Sequence, residues 1–259
     1  MNLPYDYIEY PPAEPLKKYI KHFYIFNSYD LTPERILPLG TIEMTISLDN
    51  AANDILINNT GTRSYFVIPK ALNKTVGICF QPWGLHGLFK VSPAEIDQCK
   101  FPLGDILRPP YRELIHQIED QNAPVEMITT LQNFLLRFVQ NRDNETIDDA
   151  VKYIDRHHGL LHLSDLYNRY YLSPRRLQQR FECAVGMSPK KYSRLKRFQF
   201  AVTRLKKDSN LTTLALDTGY YDQSHFIHDF SQFAGVSPNA LLKESNQLNA
   251  INARSWFTQ

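Results

Sequence analysis

Arg175, Gln178 and Gln179 stand at i, i+3 and i+4, a spacing that puts three long polar side chains on one face of a helix. Leu177, Phe181 and Ala184, at i, i+4 and i+7, share another face and form a stripe suited to burial. A guanidinium fork matches O6 and N7 of guanine, and a carboxamide matches N6 and N7 of adenine. The first set therefore has the chemistry to read base edges in a DNA groove. An offset of 49 brings Ser224, Ile227 and His228 to the same places, beside a second stripe of Phe226, Phe230 and Phe233.

These faces belong to a repeat. Leu163 and Leu166 match Leu211 and Leu214 at an offset of 48, and Leu177, Phe181, Gly186 and Ser188-Pro189 match Phe226, Phe230, Gly235 and Ser237-Pro238 at 49. The extra residue falls in a turn, and an ordered set of apolar, Gly and Ser-Pro matches marks an internal duplication. Each half reads as a helix-turn-helix unit. Ser164 or Thr212 caps a short helix, and Ser173-Pro174 or Asp222 starts a second one. Gly186 or Gly235 ends it. A connector helix capped by Ser188 runs from Pro189 to about Lys207, a rod of about 28 Å. Successive major-groove faces lie about 34 Å apart, so both units reach one side of a duplex if the DNA bends toward them.

Charge follows the same division. The chain of 259 residues has a net charge of +2, but residues 1–145 hold 13 basic and 17 acidic residues, and residues 146–245 hold 15 and 10. The basic half suits a polyanion. Within it Arg175, Arg176 and Arg180 lie on the first recognition helix, and Lys190, Lys191, Arg194, Lys196 and Arg197 on the connector. Ser173, Arg176, Arg180, Lys190, Lys191, Arg197 and His225 are the expected phosphate contacts, with solvated helix faces as the bland alternative for any single lysine.

The preceding chain is β-rich. Residues 1–16 read as an extended Pro-rich entry, and a short helix from Leu16 gives way to a strand at HFYIF. TIEMTISL alternates as a half-buried strand does, and DILI, RSYFVIP and TVGICF are further strands between Asn, Asp and Gly turns. QPWGLHGLFKV enters a short helix, Ser92-Pro93 caps another, and two helical segments follow Pro110. In the second, Met127, Leu131, Phe134, Leu135 and Phe138 form a stripe that serves either an internal core or a helix pair between subunits. The expected class is α+β. A β-rich, barrel-like domain with trailing helices (1–140) comes first. An all-α domain of two helix-turn-helix units joined by a linker helix (146–245) follows, then a tail (246–259). A polar linker precedes Thr146, which caps the first helix of the second domain.

Other chemistries find little support. His225 and His228 have a metal-compatible i, i+3 spacing, but no carboxylate or cysteine cluster joins them, and Asp222 and Asp229 read as cap and surface. No phosphate-binding glycine loop, G-x-S-x-G or H-E-x-x-H is present. Cys79, Cys99 and Cys183 are odd in number and widely spaced, as free thiols in a reducing cytosol would be. No apolar run suits a membrane span, and the first residues do not form a signal peptide. The expectation is no metal, no cofactor, no enzymatic activity and a cytoplasmic location.

The runs LSPRRLQQRF, GMSPKKYSRLKRFQFA, GYYDQSHFIHDF and FAGVSP resemble the DNA-binding domain of the AraC/XylS family of bacterial transcription regulators. The resemblance implies base contacts from Arg175, Gln178 and Gln179, then from Gln223, Ser224, Ile227 and His228. It implies that the chain meets double-stranded DNA at the nucleoid, with RNA polymerase as a further partner. The family often carries Arg at the place of His228 and Lys at that of Ser231, so the first unit is expected to dominate readout. PLKKYIKHFYIF, RILPLGTIEMTISL, GICFQPWGLHGLF and VSPAEI resemble the β-rich regulatory domain of a subset of the family, which implies sensing of a small-molecule effector or homodimerisation. Where that subset usually has Asp, this chain has Leu39. Two alternatives stand beside the regulator. One is a DNA-binding domain attached to an alkylation-repair-like enzyme with a reactive cysteine; the other is an N-terminal part that only dimerises.

Overall fold

The computed structural model describes residues 5–29, 33–48, 55–59, 61–67, 74–96, 101–102, 111–139, 145–205 and 210–245. Eight strands come first: β1 Tyr5–Tyr10, β2 Ile20–Ser28, β3 Glu34–Ile36, β4 Ile42–Ser47, β5 Ile55–Asn59, β6 Tyr65–Val67, β7 Lys74–Phe80 and β8 Phe101–Pro102. Six of them form one antiparallel sheet in the order β1-β2-β7-β4-β5-β8, and β3 pairs with β6 separately. Among the described residues β1 and β8 are edges, so the sheet is open rather than a closed barrel.

Alternation divides the side chains of β4 between the two faces of the sheet. β4 buries Ile42, Met44 and Ile46 in register with Val76 and Ile78 of β7. Its other face carries Glu43 and Thr45, across from Cys79 and Gly77. A Cβ on Gly77 would lie 2.0 Å from Cζ of Tyr24, so only glycine lets that ring lie on the sheet. On this face Tyr24 donates to Glu43 at 3.4 Å, and Tyr7 stacks on Tyr24 at 5.0 Å. Burial pushes the Glu43 carboxyl up to about 7, against lowering by the Tyr24 hydroxyl and Lys21.

Ten helices complete the described chain: α1 Gly84–Phe89, α2 Tyr111–Glu119, α3 Pro124–Leu136, α4 Glu145–Arg156, α5 Leu163–Arg169, α6 Pro174–Val185, α7 Pro189–Arg204, α8 Leu211–Asp217, α9 Gln223–Ala234 and α10 Pro238–Ser245. One hydrophobic cluster runs from the sheet through α1–α3 into α4–α9. Met127, Leu131, Phe134 and Leu135 are buried within the chain, and α3 packs on α2. That stripe is therefore spent on an internal core and is not free for a subunit contact.

Several local expectations change. The entry includes strand β1, paired with β2 over its whole length, and the helix expected from Leu16 is a single 3-10 turn at Glu14–Leu16. Ser164 lies inside α5, whose N-cap His162 makes no side-chain cap. Thr212 lies inside α8, where Asn210 accepts from the amides of Thr212 and Thr213. Thr146 is the second residue of α4. The connector α7 stops at Arg204, so its 16 residues span about 24 Å rather than 28. Cys99, residues 140–144, Lys207 and the tail 246–259 lie outside the described residues.

Candidate nucleic-acid interface

The two halves are built alike. Ser173 accepts from the amide of Arg176 at the start of α6, and Asp222 accepts from that of His225 at 2.7 Å at the start of α9. Gly186 and Gly235 end these helices with φ of 80° and 72°. The apolar stripes face inward: Leu177, Phe181 and Ala184 are fully buried, as are Phe226 and Phe230, with Phe233 at 3% exposure.

The opposite faces are open. Arg175, Gln178, Gln179, Gln223, Ser224 and His228 are exposed, and Ile227 is half-buried against the core. Gln178 donates to Glu182 at 3.0 Å, Thr212 donates to Gln223 at 2.7 Å, and His228 pairs with Gln232 at 2.9 Å. Of the expected phosphate contacts, Ser173, Arg176, Lys190, Lys191 and His225 are exposed and Arg180 is half-buried.

Electrostatics favour an anion here. Arg175 and Arg176 fill the first turn of α6, and Lys190 and Lys191 that of α7, with no acidic residue in either turn. Cations at a helix N-terminus oppose the helix dipole, at a cost of about 0.3–1 kcal/mol each. A phosphate arriving there meets side-chain cations and unpaired amides together.

Arg197, expected at a phosphate, is held inside the second unit. It donates to the Gly219 carbonyl at 3.1 Å, lies over the Tyr220 ring and stands 3.8 Å from Asp229. Arg194 also grips Asp229, whose side chain is 3% exposed. The surface reading of Asp229 is thereby corrected: it sits between Phe226 and Phe233 on the buried face and pins α9 to α7. Its place three residues after Phe226 and four before Phe233 was the signal.

The two turns differ in sequence and, by one residue, in length. Tyr171 has φ of 50°, and its counterpart at offset 48 is Gly219, with φ of 74°. The left-handed conformation costs a non-glycine residue about 1–2 kcal/mol. Tyr171 is nonetheless 97% exposed, and Tyr221, just before the Asp222 cap, is 87% exposed.

The β-rich region meets both units at the C-terminal ends of α6 and α9. A Cβ on Gly186 would come within 2.8 Å of Pro93 Cβ, and one on Gly235 within 2.9 Å of Ser64 Oγ. Arg35 donates from Nε and Nη2 to Glu244 at 2.8 and 3.1 Å, and from Nη1 to the Ala234 carbonyl at 3.1 Å. Ser64 donates through its amide to Phe233 and its hydroxyl to Ala234. Gln199 of α7 donates to the Pro38 and Leu39 carbonyls, both at 3.0 Å. Trp83 donates to Asp148 of α4 at 3.2 Å, so this buried residue is a bridge as well as a packing element. Pairwise sequence patterns gave no sign of these long-range contacts.

Burial, with Glu43 beside it, pushes the Cys79 thiol up to about 12, the opposite of what a nucleophile needs. Cys183 is exposed and free. Among the described residues no group of three or more His, Cys, Asp or Glu is placed to hold a metal ion, and no helix is long and apolar enough to cross a membrane.

Residues 166–244 match the family described as a helix-turn-helix domain, and residues 8–101 match a domain of unknown function (DUF6597). No curated protein matches the chain. Among solved structures, ToxT from Vibrio cholerae is similar at 9% identity and a TM-score of 0.45, over 85% of this chain and 97% of that one. A second ToxT structure, from Vibrio cholerae O395, is 12% identical with a TM-score of 0.42, over 88% and 98%.

Proposed function

We propose, from the match of residues 166–244 to a helix-turn-helix family, that this chain is an AraC-type DNA-binding transcription regulator that sets α6 and α9 into adjacent major grooves of one duplex. The observation that carries the reading is the pair of equivalent helices, each with a buried stripe and an open polar face and both packed on α7. Arg175, Gln178 and Gln179 read bases from the first helix, and Gln223, Ser224, Ile227 and His228 from the second. Ser173, Arg176, Arg180, Lys190, Lys191 and His225 hold phosphates, while Arg197 positions the second unit. With α7 at about 24 Å against a groove repeat of about 34 Å, the duplex bends toward the protein.

The N-terminal domain, residues 1–140, modulates this module of residues 146–245. Its contacts reach the C-terminal caps of both recognition helices and the middle of α7, so any shift there changes how the two helices sit relative to each other. A small-molecule effector or a second copy of the chain acts through these contacts, RNA polymerase receives the bound complex, and the protein works in the cytoplasm at the nucleoid. The test is an anisotropy titration against duplex DNA over a range of salt. Wild type shows a steep loss of affinity with salt, and Lys190→Ala and Lys191→Ala each reduce the log–log slope by about one. Slopes unchanged in both variants would remove those lysines from the interface, and a salt-independent wild type would sink the reading.

A further inference from the structure

We propose that Tyr171 and Tyr221, the exposed tyrosines of the two turns, clamp the DNA backbone beside each recognition helix, the ring against a deoxyribose and the hydroxyl toward a phosphate. The proposal rests on the DNA-binding reading above and adds a second kind of contact to it, one that carries no charge.

Position comes first. Tyr171 lies two residues before the Ser173 cap of α6, and Tyr221 one residue before the Asp222 cap of α9. Two residues of chain span at most about 7 Å, so each ring flanks the helix end that enters the groove. That end carries Arg175 and Arg176 in the first unit, and His225 in the second.

Exposure comes next. At 97% and 87% these are the most exposed large hydrophobic residues among those described, and no ring contact or hydrogen bond engages either one there. Their neighbours in sequence behave differently. Tyr170 donates to Asp149 at 2.8 Å, and Tyr220 is buried against Phe226 and under Arg197. Each Tyr-Tyr pair thus divides its work: the first ring holds the unit together, and the second faces outward.

Backbone conformation gives the independent argument. Tyr171 adopts the left-handed region that Gly219 occupies in the other half. Glycine meets that requirement without strain. A fully exposed tyrosine there gains nothing from packing that would offset the strain, so a contact outside the chain is the consistent reason for the side chain. The phosphate–sugar backbone is the partner that fits. Tyrosine hydroxyls are common phosphate donors in protein–DNA contacts, and Arg175 and Arg176 follow Tyr171 in the first turn of α6.

The contact is independent of sequence, so a mixed-sequence duplex of about 40 base pairs serves as the probe. Full-length wild type, Tyr171→Gly, Tyr171→Phe and Tyr221→Ser are titrated by anisotropy at several salt concentrations, with thermal melts alongside. Tyr171→Gly is expected to melt at or above wild type yet bind about fivefold more weakly, the worth of one hydrogen bond. Its salt slope stays unchanged, because an uncharged residue releases no counterion. Tyr221→Ser weakens binding by a similar factor, and Tyr171→Phe, which loses the hydroxyl but keeps the ring, by about fivefold as well. If Tyr171→Gly folds poorly, Tyr171→Phe and Tyr221→Ser decide. Variants that bind as tightly as wild type would overturn the proposal and point these rings toward a protein partner. A wild type that fails to bind the duplex at any salt would instead overturn the DNA-binding reading itself.

Discussion

Replacing Arg35 with alanine tests how the two regions are joined. The side chain, 12% exposed, makes two hydrogen bonds to Glu244, itself 31% exposed, and a third to the Ala234 carbonyl. It also lies 4.5 Å from the Phe66 ring centroid. Hydrogen bonds to charged groups contribute about 1.5–3 kcal/mol each, but Glu244 keeps partial access to water once its partner is gone, and Ser64 still serves Ala234. The loss should therefore be about 2 kcal/mol for the whole guanidinium. In a chain of this size that lowers the melting temperature by roughly 4–8 °C. Equilibrium unfolding of wild type, Arg35→Ala, Glu244→Gln and the double variant forms a thermodynamic cycle. A coupling energy of about 1 kcal/mol or more is expected, because both single changes remove the same bidentate pair. Strictly additive losses would refute the reasoning, since they would mean that the pair does not join α10 to β3 in solution.

Buried ionisable groups carry the remaining predictions. Asp229 is held by Arg194 and Arg197, so Asp229→Ala leaves two cations without their anion and should destabilise by about 3 kcal/mol. Hydrogen exchange should show faster opening in α9 than in α6; equal protection in both would contradict the pinning role. Glu43 keeps its proton to about 7 in the folded chain and loses it at 4.5 when unfolded. Its contribution to stability is thus complete below 4.5 and is lost as pH rises through 7. Glu43→Gln removes that penalty, so the variant should gain on wild type between pH 5 and pH 8 in urea unfolding. A constant difference across that range would show that Glu43 is not buried as described. On the same face, burial lowers His22 to about 4 from 6.5, and the stability it provides is present above 6.5 and lost as pH falls through 4.

The exposed polar faces of α6 and α9 were legible in the sequence because they are built from local spacing, twice. The Gly186 and Gly235 caps, the Ser173, Ser188 and Asp222 caps and the buried stripes all follow from positions a few residues apart. Strand β4 followed from alternation, and β7 from its place between turn residues. Local rules failed where two candidates competed within one turn: Asn210 outcompetes Thr212 because its carboxamide reaches two amides at once. Strand β1 was hidden because its stability comes from pairing with β2, a tertiary fact. Arg35, Ser64, Gln199 and Trp83 were not legible as contacts, since each meets a partner 65 or more residues away. Asp229 had a local signal, its place on the Phe226–Phe233 face, but a charged residue there reads as surface until a cation partner is known.

Genome-wide footprinting of the protein in its own cell, with wild type beside an Arg175→Ala/Gln179→Ala double variant, tests the central claim directly. Two helices in adjacent grooves predict sharp peaks sharing a motif of two blocks about one helical turn apart, lost in the variant. Diffuse occupancy, the same in both proteins, would contradict sequence readout by α6 and α9.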